Sequence, residues 1–274
     1  MHRHYWIILI ISLIAIRAAH AETITELAKA TQNPIAVNPE ANYFAFPFID
    51  NLNGDYGNDN NTQNIINAKP VFPFRLTQEY DLILRPILTM YHQPTAGTGR
   101  GYVNGWGDIN PTAFISPYSI HHYFVWGIGP SLFIPTATNT AFGTGKWSIG
   151  PQLALFYMPN KWVVGLLTSN VWSIAGDPSR AAVDQFSLQY FISYNLKNGW
   201  YITSQPTVTA NWKATSDQWA IPFGGGVGRV IRLGAQSMNI AFEGYYNVAN
   251  PGSSNSRWTA QLKIEFLYLA HRKE

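Results

Sequence analysis

The sequence contains no cysteine among its 274 residues, so a disulfide framework is excluded. Charged residues make up only 12% of the chain, against about 25% in ordinary soluble domains. After residue 21 there is no apolar run of about 18 residues, which excludes a transmembrane helix in that part of the chain. Aromatic residues, at 15%, are abundant instead. If such a chain is exported, this composition suggests a membrane β-barrel.

The first 21 residues predict export. Arg3 precedes an apolar run over 5–16, and a small-x-small cleavage site ends at Ala21. We predict a signal peptide over 1–21 that is cleaved after Ala21. The alternative, an N-terminal membrane anchor, is disfavoured because the run is too short to span a bilayer comfortably. Cleavage lowers the count of Lys and Arg from 18 to 16 against 15 acidic residues, so the net charge falls from +3 to +1 and no nucleic-acid partner is predicted.

Alternation of apolar and polar residues defines the predicted strands. In a barrel wall, lipid-facing and lumen-facing side chains alternate over segments of about 10 residues. The segment 257–268 shows this most clearly, with an apolar set of Trp258, Ala260, Leu262, Ile264, Phe266 and Tyr268 and a polar set of Thr259, Gln261, Lys263 and Glu265. Trp200 and Trp212 bound a similar segment and stand 12 residues apart. That separation is roughly 30 Å along the barrel axis, the spacing of two aromatic girdles.

The pattern predicts an all-β fold, an antiparallel up-and-down transmembrane β-barrel of about twelve strands. The strands lie near 40–50, 63–74, 79–91, 107–118, 122–136, 145–158, 161–174, 184–195, 199–212, 217–233, 236–248 and 256–268. Short turns alternate with longer connections such as the Asn-rich 51–62 and 92–106, which places both termini in the periplasm. Ten strands are the alternative if the first pair lies outside the wall. The predicted domains are the signal peptide 1–21, a leader 22–39, the barrel 40–268 and a tail 269–274.

The leader leaves two alternatives open. Thr23 and Glu26 have the spacing of a capping box for a short helix that ends before Asn33 and Pro34. The segment is either a disordered periplasmic leader, which we favour, or a segment that folds into the lumen and narrows it.

Two glycine-rich stretches imitate nucleotide-binding motifs. A phosphate loop ending at Gly145 and Lys146 needs Gly at 140 and a hydroxyl residue at 147, but the sequence has Thr140 and Trp147. We interpret Thr140 to Gly145 as the tip of an outward loop and Lys146 as the start of a strand. The stretch GGGVGRV, 224–230, lies inside a strand pattern with no helix after it, so its glycines are expected to bend the wall or leave lumen space.

Candidate catalytic and metal-binding groups are scarce. Outside the signal peptide the histidines are His92, His121, His122 and His271, and none has a partner at metal spacing. Neither a Gly-x-Ser-x-Gly elbow nor a His-x-Ser pair is present. We therefore predict no enzyme activity, no catalytic residue, no cofactor and no metal.

Seven segments, in order, carry a resemblance to a known family. They are WGDINPTAFISP (106–117), WGIGPSLFIPTAT (126–138), GTGKWSIGPQ (143–152), SNVWSIAGD (169–177), YNLKNGWYITSQPTVTANW (194–212), WAIPFGGGVGRV (219–230) and YYNVANP (245–251). Over about 40 to 270 the chain resembles the bacterial outer-membrane β-barrel proteins grouped as MetA-pathway phenol-degradation transporters, often labelled neuromedin U-like. The resemblance implies an outer-membrane barrel that passes small, including aromatic, compounds, and it implies no catalytic residues. The chain departs from many such barrels at its end, where LAHRKE follows Tyr268.

Strand parity gives the candidate lumen residues Arg85, Asp108, Asn110, Gln205, Asn211, Glu243, Tyr245, Lys263 and Glu265. Candidates for the aromatic girdles are Trp147, Trp200, Trp212, Trp258 and Tyr268. Because opposite charges share the lumen, we expect them to pair across it and to leave weak charge selectivity. We predict a channel or transporter of the bacterial outer membrane for small neutral or aromatic solutes, monomeric or weakly oligomeric, with lipid and the barrel-assembly machinery as partners. The alternative is a non-conducting structural or surface-interaction barrel that works through its long loops.

The face assignment of the last strand predicts opposite outcomes for two neighbouring positions. Leu262→Arg places a charge on the lipid face near the bilayer midplane and should lower the free energy of unfolding by about 2–4 kcal/mol. Gln261→Arg, the matched control, places the same side chain in the lumen and should have a mild effect. Urea unfolding in lipid vesicles measures both, and the reverse order would show that the register is shifted by one residue.

Overall fold

The protein is a single closed β-barrel in the computed structural model, which describes residues 29, 31–32, 43–57, 60–95, 101–118, 123–234, 236–250 and 256–269. Its strands are β1 (Tyr43–Tyr56), β2 (Asn61–Ala68), β3 (Phe72–Arg75), β4 (Tyr80–Pro94), β5 (Tyr102–Trp106), β6 (Asn110–Pro117), β7 (Phe124–Phe133), β8 (Lys146–Tyr157), β9 (Trp162–Gly176), β10 (Asp184–Asn195), β11 (Trp200–Ser204), β12 (Thr207–Asn211), β13 (Trp219–Leu233), β14 (Gln236–Ala249) and β15 (Trp258–Leu269). The short 3₁₀ turn Lys197–Gly199 joins β10 to β11.

Twelve wall strands form the barrel. Three of them are divided in two, because β2 and β3 both pair with β4, β5 and β6 both pair with β4, and β11 and β12 both pair with β10. All pairings between neighbours are antiparallel, and β1 pairs with β15 from Tyr43↔Leu269 to Gly54↔Trp258, which closes the wall. The predicted twelve-stranded antiparallel barrel is therefore confirmed. The ten-stranded alternative is wrong, because β1 also pairs with β2 and belongs to the wall.

The two ends of the barrel differ in their connections. At the short-turn end, segments such as 158–161 and 196–199 join the strands, while the long-loop end carries 134–145 and 177–183. The predicted loop 51–62 is mostly strand, since β1 runs to Tyr56 and β2 begins at Asn61. Likewise β4 extends to Pro94 and β5 begins at Tyr102, which shortens the predicted loop 92–106.

Amide side chains explain why the Asn-rich stretch forms strands. The Asn53 side-chain amide donates to Gln63 Oε1 at 3.0 Å, and the Gln63 amide donates to Gln93 Oε1 at 2.8 Å. These three side chains are buried and join neighbouring strands inside the wall. The polar composition of this stretch led to the prediction of a loop. In the structure the same side chains form a ladder of hydrogen bonds across β1, β2 and β4.

The outer and inner faces differ in polarity as the alternation predicts. On β15, Leu262 is 39% exposed on the outside, whereas Lys263 and Glu265 on the inside are 5% and 6% exposed. Large apolar side chains are exposed around the whole wall, with Ile174 and Phe223 the most exposed at 69%. An apolar outer band of this extent is the surface that lipid covers in a barrel. Among the described residues, no helix is long and apolar enough to span a bilayer.

Near the short-turn end the interior is apolar. The buried side chains Val71, Ile83, Phe114, Ala154, Phe156, Val163, Leu167 and Phe191 pack together there and are called the apolar layer below. This layer accounts for two irregularities of the sequence. Phe114 breaks the polar parity of its strand, and β9 alternates poorly, because these strands place apolar residues on both faces.

One glycine of the GGGVGRV stretch makes room for an aromatic ring in the interior. Tyr201 on β11 is fully buried, and its hydroxyl donates to Asn239 Oδ1 at 2.7 Å. The ring lies against Gly228 of β13, where an added Cβ would stand 2.2 Å from Tyr201 Cζ. The expectation that these glycines leave lumen space holds at this position, because only a residue without a side chain fits beneath the ring.

The packing of Tyr201 predicts a difference between two glycines on neighbouring strands. Gly228→Ala forces the ring to move and should lower the free energy of unfolding by about 1–3 kcal/mol. Gly244→Ala is the matched control, because an added Cβ there meets nothing within 4 Å. Urea unfolding followed by gel migration of unheated samples compares the two, and equal effects would contradict the packing explanation.

Several predicted features lie outside the described residues. They are the signal peptide 1–21, most of the leader 22–39, residues 270–274 of the tail, and the three histidines His121, His122 and His271.

Candidate functional site in the barrel interior

A cavity of about 400 Å³ lies inside the barrel on the side of the long loops. Ligand-binding cavities typically measure about 300–1,000 Å³, so a small molecule fits. Its polar wall comes from β2, β4, β6, β8 and β10 and includes Asn67, Thr89, Asn110, Gln152, Gln185 and Ser187. The cavity is therefore surrounded by amide and hydroxyl groups on rigid strands, and these groups carry no net charge.

The loop between β7 and β8 folds inward over this cavity. Phe142 is 4% exposed and stacks on Tyr91 of β4 with ring centroids 5.3 Å apart and parallel planes. The Asp108 carboxylate accepts hydrogen bonds from the Ala137 N–H at 3.1 Å, the Thr144 N–H at 2.8 Å and the Thr144 hydroxyl at 3.2 Å. Thr140 and Ala141 are exposed, as expected for the tip of a loop, whereas Phe142 and the contacts of Asp108 turn the rest of the loop over the cavity.

Arg180 holds the same loop from the opposite side. Its guanidinium donates to the carbonyl oxygens of Thr140 at 2.8 Å, Gly143 at 2.5 Å and Thr144 at 3.2 Å. Arg180 follows a turn in which the Asp177 carboxylate accepts from the Ser179 hydroxyl at 2.7 Å and the Ser179 N–H at 2.9 Å. Those hydrogen bonds, with the charges of Lys146 and Arg180 as smaller causes, hold the pKa of Asp177 below its ordinary value.

The floor of the cavity combines positive charge with apolar packing. Arg85 of β4 and Lys69, between β2 and β3, line the cavity. Arg85 pairs in register with Thr112, and the next inward pair, Ile83↔Phe114, belongs to the apolar layer. The two cations thus stand where the polar upper half of the interior meets the apolar lower half.

A break in the wall lies between β11 and β12. The β13 ladder is interrupted between Thr203↔Gly226 and Thr209↔Ala220, beside Gln205 and Pro206. Side chains take over the backbone hydrogen bonds there. The Gln205 N–H donates to the Tyr245 hydroxyl at 3.3 Å, and the Gln189 side-chain amide donates to the Gln205 carbonyl at 2.9 Å. An interior network therefore satisfies backbone groups that the wall leaves unpaired.

Glu243 is the centre of that network. It is fully buried and accepts hydrogen bonds from the Gln205 amide at 2.6 Å, the Gln261 amide at 3.2 Å and the Tyr245 hydroxyl. Three donors surround this buried carboxylate, which forms no ion pair among the described residues.

The ion pair of Lys263 and Glu265 lies along one strand rather than across the barrel. Lys263 Nζ lies 3.7 Å from Glu265 Oε2 on the same strand, and the Asn239 amide donates to the same oxygen at 3.1 Å. The expected pairing across the lumen is therefore wrong for this ion pair. Among the described residues no carboxylate forms an ion pair with Arg85, so positive charge faces the cavity on the opposite wall.

Three residues of the leader lie inside the barrel. Lys29, Thr31 and Gln32 are buried. Lys263 Nζ donates to the Thr31 carbonyl at 3.4 Å, and the Gln32 side-chain amide donates to Asn195 Oδ1 at 2.9 Å. Of the two alternatives for the leader, the structure shows the placement in the lumen for these residues, near the short-turn end.

The predicted lumen residues fall into three groups. Arg85 and Asn110 line the cavity, and Asp108 stands at its mouth. Five residues are buried on the opposite wall: Gln205, Glu243, Tyr245, Lys263 and Glu265. Asn211 is exposed at the long-loop end, where its Oδ1 accepts from the Lys213 N–H at 3.0 Å.

The girdle candidates are exposed on the outer face, from 39% for Trp258 to 47% for Tyr268, with Trp147, Trp200 and Trp212 between them.

Sequence reasoning missed Lys69, Tyr91, Phe142 and Arg180. Strand parity could have identified Tyr91, which lies on the same face of β4 as Arg85. It could not identify Lys69, which follows the end of a strand, or the other two residues, which lie in loops. Among the described residues no group of three or more His, Asp or Glu side chains could hold a metal ion.

No family model and no curated protein matches the chain. Among solved structures it is similar to a COG4313 outer membrane channel from Pseudomonas putida F1, with 16% identity, coverage of 86% of this chain and 97% of that chain, and a TM-score of 0.64. A FadL homologue from Pseudomonas aeruginosa covers 84% and 90% of the two chains at 9% identity and a TM-score of 0.42. The toluene transporter TbuX from Ralstonia pickettii covers 84% and 89% at 11% identity and a TM-score of 0.35.

The first of these comparisons shows a shared fold, that of an outer-membrane channel barrel. The other two are too dissimilar to add to it. Membership of the MetA-pathway phenol-degradation family stays a prediction from the quoted segments.

The Glu243 network predicts a specific stability effect. Glu243→Ala leaves the donors of Gln205, Gln261 and Tyr245 without their acceptor and should lower the free energy of unfolding by about 1–3 kcal/mol. Glu79→Ala, in the exposed turn before β4, removes the same side chain and should change it by less than about 0.5 kcal/mol. Urea unfolding compares them, and a neutral Glu243→Ala would show that the network does not support the wall.

Proposed function

We propose that the protein is a channel or transporter of the bacterial outer membrane that carries small solutes through the interior of its barrel. The observation that carries this proposal is the cavity of about 400 Å³ beneath an inward loop. A barrel whose interior served only for stability would be expected to fill this space with side chains, as small eight-stranded barrels do.

The side chains that line the cavity are suited to small aromatic or neutral compounds as solutes. Tyr91, Phe133 and Phe142 contribute ring faces or edges, and amides and hydroxyls supply hydrogen-bonding groups. Aromatic and polar groups together suit a compact ring that carries one polar substituent. The sequence resemblance to phenol-degradation transporters points in the same direction.

Membrane placement follows from the outer surface. We propose that Trp147, Trp212 and Trp258 lie in one aromatic girdle at the long-loop end and that Trp200 and Tyr268 lie in the other. The exposed apolar side chains between them would contact lipid. The barrel-assembly machinery would insert the chain after its export.

One observation favours the alternative, a non-conducting barrel. The apolar layer and the leader residues Lys29, Thr31 and Gln32 occupy the interior near the short-turn end. Conduction therefore requires a path past them, and a barrel that never opens would act through its surface instead.

Planar-bilayer recordings decide between these functions. Wild-type protein should give discrete conductance steps, and Phe142→Ala should enlarge them because it removes a ring from the mouth of the cavity. Phe223→Ala, on the outer face, is the matched control and should leave them unchanged. If folded wild-type and Phe142→Ala protein both give neither conductance nor solute flux into vesicles, the non-conducting barrel is correct.

A further inference from the structure

We propose that the cavity contains a binding site for the carboxylate of a small aromatic acid, formed by Lys69 and Arg85. The inference rests on the proposed function, because it names the solute class of the same cavity. It differs in charge from the sequence expectation, which was small neutral or aromatic solutes with weak charge selectivity.

Two like charges face one enclosed space. Arg85 is 5% exposed, and both it and Lys69 line the cavity. Two cations that share one enclosed cavity are costly unless an anion joins them, so the site favours a negatively charged occupant.

The acidic groups of the interior are engaged elsewhere. In the described part of the barrel, Glu243 is surrounded by three donors of its own wall, and Glu265 pairs with Lys263 and Asn239. Asp108 shares the cavity but accepts three hydrogen bonds from the loop at its mouth. None of these carboxylates forms an ion pair with Lys69 or Arg85.

The space above the cations suits an apolar ring. Tyr91, Phe133, Phe142, Leu167 and Val171 line the same cavity, and the volume of about 400 Å³ is enough for a single substituted ring. An aromatic acid would place its carboxylate against the cations at the floor of the cavity. Its ring would then contact the apolar side chains above them. A guanidinium binds a planar carboxylate through two parallel hydrogen bonds, which orients the ring upward.

Equilibrium binding in a non-ionic detergent tests the site without conduction. Calorimetry should show that benzoate binds the folded protein about tenfold more tightly than benzyl alcohol, its neutral analogue of similar size. Lys69→Gln and Arg85→Gln should each weaken benzoate binding by about tenfold and leave benzyl alcohol unchanged. Lys213→Gln, the same kind of charge removal in an exposed turn outside the cavity, should change neither.

Two results would overturn the inference: benzoate binding no tighter than benzyl alcohol, or benzoate affinity unaffected in a folded variant at either cation. Gel migration of unheated samples verifies folding. Lys69 follows β2 and Arg85 lies in β4, so either folded variant alone tests the site.

Bilayer recordings separate this inference from the proposed function. Under a KCl gradient, the reversal potential of wild-type protein should indicate anion preference, and both variants should shift it towards cations. Conductance without benzoate binding would refute the carboxylate site and leave the channel. Benzoate binding without conductance would refute the channel and leave the carboxylate site.

Discussion

Complete pairing of the backbone is the constraint on which the rest of this structure depends. A β-sheet in lipid has no water for its edge, so every N–H and C=O of the wall must be paired and the sheet must close. The β1–β15 ladder meets this requirement. Where the wall cannot pair with itself, beside Pro206, the side chains of Gln189 and Tyr245 pair with the backbone of Gln205. The interior of the barrel is therefore part of how the wall is completed, as well as the space that a solute would enter.

The interior divides into two halves that are built differently. Towards the short turns it is packed like the core of a soluble protein, with Phe114 and Phe156 fully buried. Towards the long loops it is polar and encloses a cavity, and Lys69 and Arg85 mark the boundary. A dense half fixes the barrel's shape, since packed side chains resist deformation, and it leaves the upper half free to hold a ligand on rigid strands.

The sequence predicted the wall better than the interior, for a physical reason. The outer face is apolar throughout, so each outward residue meets the same requirement, and the alternation from Trp258 to Tyr268 was sufficient to assign the two faces of that strand. The identity of an inward residue depends on the partners that it contacts on other strands. Phe114 is inside because the apolar layer needs it, and Asn53 lies in a strand because Gln63 accepts its hydrogen bond. Neither relation is visible in the pattern of a single strand. The inward position of Phe142 likewise depends on stacking with Tyr91, which lies in another element.

The inward loop is held from two separate parts of the wall, by Asp108 between β5 and β6 and by Arg180 after β9. Six hydrogen bonds join these two side chains to the loop. Loss of one anchor leaves the loop in place through the other, so displacement needs both to break together. At about 0.5–1.5 kcal/mol for each hydrogen bond, the displaced form would be a small minority at equilibrium. A solute entering by this route would therefore pass only while the loop is displaced, so the fraction of time that the loop spends displaced would scale the rate of entry at every outside concentration.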